Sequence, residues 1–251
     1  MIEGLSAREK QIIQFLTDEP TVTGLELGRR LGVSVVTIRT DLKNLATRGY
    51  VTRTHGGALP AFHKSILDRQ AVKSDEKNRI AKAAADLIQD GDTVMIVAGT
   101  TTALIPKFLL GKGHIHIVTD STLLFPHVRS NPSLSLTVVG GEFRSSTESF
   151  GGPMAIEAIA RFNVKLAFLG TDGFSLERGL STHLVEGAEM VKAMAAHADK
   201  SVLLADSSKY GRSGFVTIMP LTAVDTLISD TELNPTTAEL LRTEGLEVLL
   251  V

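Results

Sequence analysis

The chain contains no cysteine. That excludes disulfide scaffolds, thiolate zinc sites, iron–sulfur clusters and cysteine nucleophiles in one step. It also fits a reducing compartment. No apolar run approaches the roughly 18 consecutive residues of a membrane span. The opening residues, Met1-Ile2-Glu3-Gly4-Leu5, show no basic stretch leading into an apolar one, so no secretory leader is expected. A cytoplasmic protein is the expectation. Two catalytic frames are missing as well. Gly111-Lys112-Gly113 lacks the Gly-x-x-x-x-Gly-Lys-Ser/Thr spacing of a nucleotide loop and reads as a turn. Gly-x-Ser-x-Gly does not occur, so no hydrolase nucleophile elbow is supported. His114 and His116 fall on one side of an expected strand, but with no cysteine and no third ligand nearby in sequence, no metal is expected there.

What remains is ordinary in bulk and uneven in layout. Of 251 residues, 43% are hydrophobic and 22% charged, which permits a core of useful size. The net charge is −2, yet residues 21–60 hold Arg29, Arg30, Arg39, Lys43, Arg48 and Arg53 against only Glu26 and Asp41. That segment is therefore +4, and the rest of the chain −6. A basic segment on an acidic body points to an anionic partner for that segment alone.

Helix signals fill the first sixty residues. Ser6 and Glu9 are spaced as a capping box ahead of Ile12, Ile13 and Leu16, and Pro20 stops the pattern. Thr23 and Glu26 repeat the box before Leu27 and Leu31, with Gly32 as the left-handed stop. Ser34 caps a third helix carrying Ile38, Leu42 and Leu45 on one face. Two helices joined by a short turn make a helix-turn-helix, and Gly28 allows close approach of the second. The opposite face of the third helix presents Val36, Thr37, Arg39, Thr40, Lys43, Asn44 and Thr47, with Asp41 off to its side. Hydroxyls, an amide and two cations suit base edges and phosphates in a major groove, and Val36 suits a thymine methyl. Residues 50–58 read as a hairpin wing, with Arg53 placed for a phosphate and His55 either touching DNA or capping the turn.

Val33-Ser34, Thr37-Ile38-Arg39, Asp41-Leu42, Gly49, Arg53 and His55-Gly56-Gly57-Ala58 together resemble the N-terminal signature of DeoR-type bacterial transcription regulators. Ser34, Val36, Thr37, Arg39, Thr40, Lys43, Asn44, Arg53 and His55 are the expected DNA-binding residues. Thr40 departs from the family's usual Arg-Arg-Asp-Leu, which removes one phosphate or guanine contact.

From residue 59 to 74 the periodicity breaks, and an interdomain connection is expected, with Phe62, Ile66 and Leu67 apolar enough to pack. From Asp75 onward helices and strands alternate. An amphipathic helix with Ile80, Ala84, Leu87 and Ile88 leads into short apolar runs at 93–98, 115–118, 134–139, 164–169, 202–205, 224–228 and 248–251. This is the pattern of a mostly parallel sheet with helices on its faces. Ligands of such sheets bind at the carboxyl ends of the strands. Five runs end in polar loops: Gly99-Thr100-Thr101-Thr102, Asp120-Ser121-Thr122, Gly140-Gly141-Glu142, Gly170-Thr171-Asp172-Gly173 and Asp206-Ser207-Ser208-Lys209. Each could be only a cap or a turn, but five in phase with five strand ends point to a small, polyhydroxylated, phosphorylated ligand. Glu186 and Glu189 read as a solvated helix face, with an effector contact from Glu186 as the alternative.

These loops, with Glu76-Lys77, Ile80-Ala81, Val118-Thr119, Phe168-Leu169-Gly170, Gly179-Leu180, Asp225 and Asp230, resemble the DeoR effector domain. That domain is similar in fold to ribose-5-phosphate isomerase and coenzyme A transferases. The resemblance implies an α/β chain: a winged helix-turn-helix at 1–58, a linker at 59–74 and an effector domain at 75–251. It implies a repressor of a carbohydrate operon, acting on operator DNA as a homo-oligomer, with no cofactor and with a phosphorylated sugar as effector. The implied effector residues are Gly99, Thr100, Thr101, Thr102, Asp120, Ser121, Gly140, Gly141, Asp172, Gly173 and Lys209. Asp120 stands where the family commonly has Asn, and a carboxylate beside a phosphate is repulsive. Residues 176–183 are similar to members that respond to amino-sugar or hexitol phosphates. The alternative is a sugar-phosphate isomerase or transferase with an added DNA module. It is weakened because the Asp-Gly-Ala-Asp and Lys-Gly-Gly-Gly motifs of the isomerases are missing, Asp172-Gly173-Phe174-Ser175 keeping only the first half.

Overall fold

The computed structural model describes residues 5–19, 21–54, 57–60 and 64–251, with Lys64 described by its backbone alone. The chain divides into two compact units, Met1–Val72 with Ser145–Thr147, and Lys73–Arg144 with Glu148–Val251.

The first unit is built on three capped helices. In α1 (Ala7–Asp18) the Ser6 hydroxyl accepts from the Glu9 amide at 3.2 Å, and the Glu9 carboxylate accepts from the Ser6 amide at 2.7 Å. Helix α2 (Gly24–Leu31) starts on Thr23, which accepts from the Glu26 amide. Glu26 turns its own carboxylate to Arg29 and Arg30. Gly32 ends this helix at φ 66°, a left-handed conformation that glycine adopts without a Cβ penalty. Helix α3 (Val35–Thr47) starts on Ser34. Two strands, β1 (Val51–Thr54) and β2 (Gly57–Pro60), pair antiparallel, Arg53 opposite Ala58. Ile12, Leu16, Leu27, Ile38, Leu42, Leu45, Val51 and Ala58 share one core.

Residues 59–74 are mostly regular structure. Leu59 and Pro60 pair within β2, and α4 (Lys64–Ala71) follows. Leu67 joins the core of the first unit, and Ile66 is fully buried. Phe62, also expected to pack, lies outside the described residues. The physical reason is an apolar pair at adjacent helical positions, enough to anchor two turns but too short to register as a period.

Gly28 fixes how closely α3 approaches α2. A Cβ there would lie 2.9 Å from the Val33 carbonyl oxygen, a backbone atom with little room to move. Gly28→Ala is therefore expected to cost about 1–3 kcal/mol through overpacking, read as a lower melting temperature of the first unit. A neutral effect would mean that the α2–α3 turn relaxes freely.

The second unit opens with α5 (Ser74–Asp86) and then alternates. In chain order come β3 (Thr93–Ile96), β4 (Ile115–Thr119), α6 (Phe125–Val128), β5 (Leu134–Val138), β6 (Glu142–Arg144), β7 (Ser149–Gly151), α7 (Pro153–Ile159) and β8 (Val164–Leu169). Then follow β9 (Gly173–Ser175), β10 (Gly179–Thr182), α8 (Val185–Ala196), β11 (Ala198–Leu204), β12 (Val216–Met219), β13 (Thr226–Ser229), α9 (Pro235–Thr243) and β14 (Glu247–Leu250). Seven strands form one sheet in the order β14-β13-β11-β8-β3-β4-β5. All its pairs are parallel. Each of the seven apolar runs became one of these strands. Two antiparallel additions had no apolar run to announce them: the β6–β7 hairpin and a three-stranded sheet in the order β12-β10-β9. Among the described residues, no helix is long and apolar enough to cross a membrane.

Candidate nucleic-acid interface and ligand cleft

Ile38, Leu42 and Leu45 bury one side of α3, and Val36, Arg39, Thr40, Lys43, Asn44 and Thr47 are exposed on the other. Val36 is 70% exposed. Asp41 is withdrawn from this surface. It is buried and takes a two-point bond from Arg8, Nε to Oδ2 at 2.6 Å and Nη2 to Oδ1 at 3.1 Å. Its charge is thereby removed from the face that meets a phosphate backbone.

The basic residues split into two groups. Arg29 and Arg30 pair with Glu26, Arg30 also with Glu19, and Arg48 with Glu9. Among the described residues Arg39, Lys43 and Arg53 make no ion pair and stand exposed. Of the six basic residues in 21–60, the three that make no ion pair among the described residues thus lie on the exposed face of α3 and on the wing strand. Hydroxyls are partly engaged. Ser34 caps α3 through the Thr37 amide at 3.1 Å, and Thr40 donates back to the Val36 carbonyl at 3.1 Å. His55 lies outside the described residues.

In the second unit the five polar loops follow β11, β8, β3, β4 and β5, five consecutive neighbours in the sheet. The chain starts the sheet at β3, runs outward to β4 and β5, and then returns to place β8 on the other side of β3. Residues 97–102 and 170–173 therefore flank the point where strand order reverses, the expected position of a ligand crevice.

Several contacts tie these loops together. The Ala98 amide donates to Asp120 Oδ1 at 2.7 Å, joining the ends of β3 and β4. Lys209 donates to the Thr171 carbonyl, joining the loop after β11 to the loop after β8. Asp172 accepts from the Thr182 hydroxyl at 2.8 Å and the His183 amide at 3.1 Å. Gly173 packs so tightly that a Cβ would lie 2.3 Å from the Arg212 carbonyl oxygen. A Cβ on Gly141 would lie 2.4 Å from the Gly151 carbonyl oxygen, whereas Gly140 has open space around it.

Not every expected residue faces the crevice in the same way. Thr102 is fully buried and donates to the Val97 and Gly99 carbonyls at 2.7 and 3.1 Å. Ser121 is fully buried and accepts from the Leu123 amide. Both brace the loops from behind, leaving Thr100 as the partly exposed hydroxyl of residues 99–102. The loop leads into a seven-residue 3₁₀ helix, Thr102–Phe108. An anion there would rely on loop amides and hydroxyls rather than on an α-helix terminus.

Asp120 is the electrostatic exception. It is 3% exposed, and burial pushes its carboxyl up to about 7, against the opposing pull of the Ala98 amide. Sequence reading missed what covers it. The Phe150 amide donates to the Asp120 carbonyl at 2.8 Å, and Ser121 bridges Ser149, so β7 lies against the end of β4. The only trace in sequence is the pair Gly151-Gly152 after the hairpin. Among the described residues no group of three or more His, Asp or Glu is placed to hold a metal ion.

A helix-turn-helix unit with an outward cationic face, carried on the same chain as an α/β unit with a polar strand-end crevice, defines a DNA-binding regulator with a sensor. Residues 8–61 match the model of the DeoR-like helix-turn-helix domain, and residues 72–231 match that of the DeoR C terminal sensor domain. The putative aga operon transcriptional repressor of Escherichia coli O157:H7 is 34% identical over 256 residues, covering all of this chain and 95% of that protein. The lactose phosphotransferase system repressor of Lactococcus lactis is 31% identical, covering 91% of this chain and 92% of that one. Among solved structures, a probable sor operon regulator from Shigella flexneri gives a TM-score of 0.45 at 13% identity, over 67% of this chain and 88% of that one. Ribose 5-phosphate isomerase A from Methanocaldococcus jannaschii gives 0.40 at 19% identity, over 55% of each chain. The chain belongs to the DeoR family of transcription regulators. It is a transcription regulator by family.

Proposed function

We propose that this protein is a repressor of a carbohydrate-use operon whose DNA affinity is set by a phosphorylated sugar. Residues 1–58 read the operator and residues 75–251 hold the sugar. The observation that carries the sensing half is the run of five polar loops at the ends of five adjacent parallel strands, two of them flanking the reversal point. Carboxylates such as Asp172 pair with sugar hydroxyls, and Lys209 with the loop amides pairs with phosphate. One small head offers few base contacts, so two or more heads of a homo-oligomer act on spaced half-sites. Such a regulator works in the cytoplasm, where its operator is.

The test is a thermal-shift panel of hexose, pentose and amino-sugar phosphates beside their unphosphorylated parents. A compound at 100 times its Kd adds about 2.7 kcal/mol to the unit it binds, which is a rise of about 5–10 °C for a unit of this size. At least one phosphorylated sugar is expected to give that rise while its parent does not, and Thr100→Val or Lys209→Ala should abolish it. No shift from any member would remove the sugar-phosphate reading and leave DNA recognition standing.

A further inference from the structure

The two units meet in sequence at Val72 and Lys73. Lys73 fills the turn between α4 and α5 with φ 54° and ψ 41°, a left-handed backbone that side-chain-bearing residues seldom adopt. Its ammonium is held by carboxylates of the second unit. Nζ lies 2.5 Å from Glu232 Oε2, 3.7 Å from Glu76 Oε1 and 3.8 Å from Asp230 Oδ1.

Asp230 faces two ways. It is fully buried, and besides Lys73 it accepts the Ser207 amide at 2.7 Å, the Ser207 hydroxyl at 2.8 Å and the Glu232 amide at 3.1 Å. Ser207 opens the 3₁₀ turn Ser207–Lys209, whose Lys209 reaches the Thr171 carbonyl after β8. A path therefore runs from the reversal point through the Lys209 ammonium, along the backbone of the Ser207–Lys209 turn, and through the Ser207–Asp230 hydrogen bonds to the first residue of the second unit.

We infer that Lys73 and Asp230 are positioning residues that couple the order of the Ser207–Lys209 loop to the chain joint, and through it to DNA affinity. The inference rests on the reading of that loop as part of the ligand crevice. A buried carboxylate is costly to leave short of partners, and movement of Ser207 takes away two of the three hydrogen bonds to Asp230, leaving the Glu232 amide and the Lys73 ammonium to hold it. The unusual backbone of Lys73 makes this joint responsive. The Lys73 carbonyl also accepts the Lys77 amide at 2.9 Å, at the start of α5. If the ammonium loses its carboxylates, the left-handed backbone loses one of its restraints, and a relaxed Lys73 redirects the residue before it and α4. Burial alone would raise the Asp230 carboxyl. The Ser207 and Glu232 amides, the Ser207 hydroxyl and Lys73 outweigh burial and hold it below the usual carboxylate range, as a charged anchor requires.

Coupling is reciprocal, so DNA must act on the loop as the loop acts on DNA. The experiment uses the full-length protein, a duplex that it enriches from random-sequence DNA, and hydrogen exchange of peptides containing Ser207–Lys209. In the wild type, adding the duplex is expected to change exchange of these amides at least threefold. Lys73→Met, which loses the charge, and Lys73→Gly, which loses the charge but accepts φ 54°, should still bind the duplex and lose the change. Lys73→Arg should keep it. A duplex without effect on the wild-type loop, or Met and Gly variants that respond like the wild type, overturns the inference. If the duplex effect is present while no phosphorylated sugar shifts the melting temperature, the ligand class fails and the coupling stands.

Discussion

Arg39→Ala is expected to weaken binding to the enriched duplex by roughly 5- to 150-fold, the equivalent of losing about 1–3 kcal/mol from one good base contact. The expectation rests on three features of α3. Arg39 is exposed and makes no ion pair among the described residues. The helix beneath it is fixed, because Ile38, Leu42 and Leu45 are buried to 2% exposure or less and Ser34 caps the start. The neighbouring acid, Asp41, is neutralised by Arg8. Alanine is a strong helix former, so folding stability should stay within about 0.5 kcal/mol. Loss of affinity with an unchanged melting temperature separates recognition from damage to the fold. A guanine contact shows as relaxed preference at one base, and a phosphate contact as a salt slope reduced by about one. Unchanged affinity on every sequence would take Arg39 out of the interface.

The second large effect is at Asp120. A carboxyl with an ordinary value of 3.8 and a folded value of about 7 keeps its proton in the folded protein where the unfolded chain has already released it. Between about pH 4 and pH 7 the folded state therefore binds more protons, and stability falls as pH rises through that window. Above pH 7 the buried carboxylate persists at a cost of a few kcal/mol. Asp120→Asn removes the charge and keeps an oxygen for the Ala98 amide. The variant is expected to be more stable than the wild type by a few kcal/mol at pH 8, with the gain fading towards zero near pH 4. Denaturant midpoints of both proteins across that range test it. A difference independent of pH would show that Asp120 is solvated or paired in a way that burial does not convey.

Much of this was legible in the residues because local chemistry and tertiary structure agree. Ser6, Thr23 and Ser34 cap the helices they precede, and Gly32 takes the left-handed stop. The seven apolar runs are strands because a sheet covered on both faces by helices needs apolar residues on both sides. The five polar loops fall at strand ends for the same reason: where the runs stop, the sheet meets solvent. What escaped reading lacks such a period. The hairpin strands β6 and β7 have three residues each, none buried, and no apolar alternation marks them. The inward turn of Thr102 and Ser121 depends on carbonyls whose positions only the fold sets. Lys73, Asp230 and Ser207 are far apart in sequence, so nothing local betrays their contact.

The central claim is that a phosphorylated sugar in the second unit controls the DNA affinity of the first. Fluorescence anisotropy of the enriched duplex, titrated with full-length protein with and without each phosphorylated sugar and its parent, tests it most directly. One phosphorylated sugar is expected to change the DNA Kd by about 5- to 150-fold while its parent changes nothing. A sugar phosphate that raises the melting temperature yet leaves the DNA Kd unchanged would contradict it.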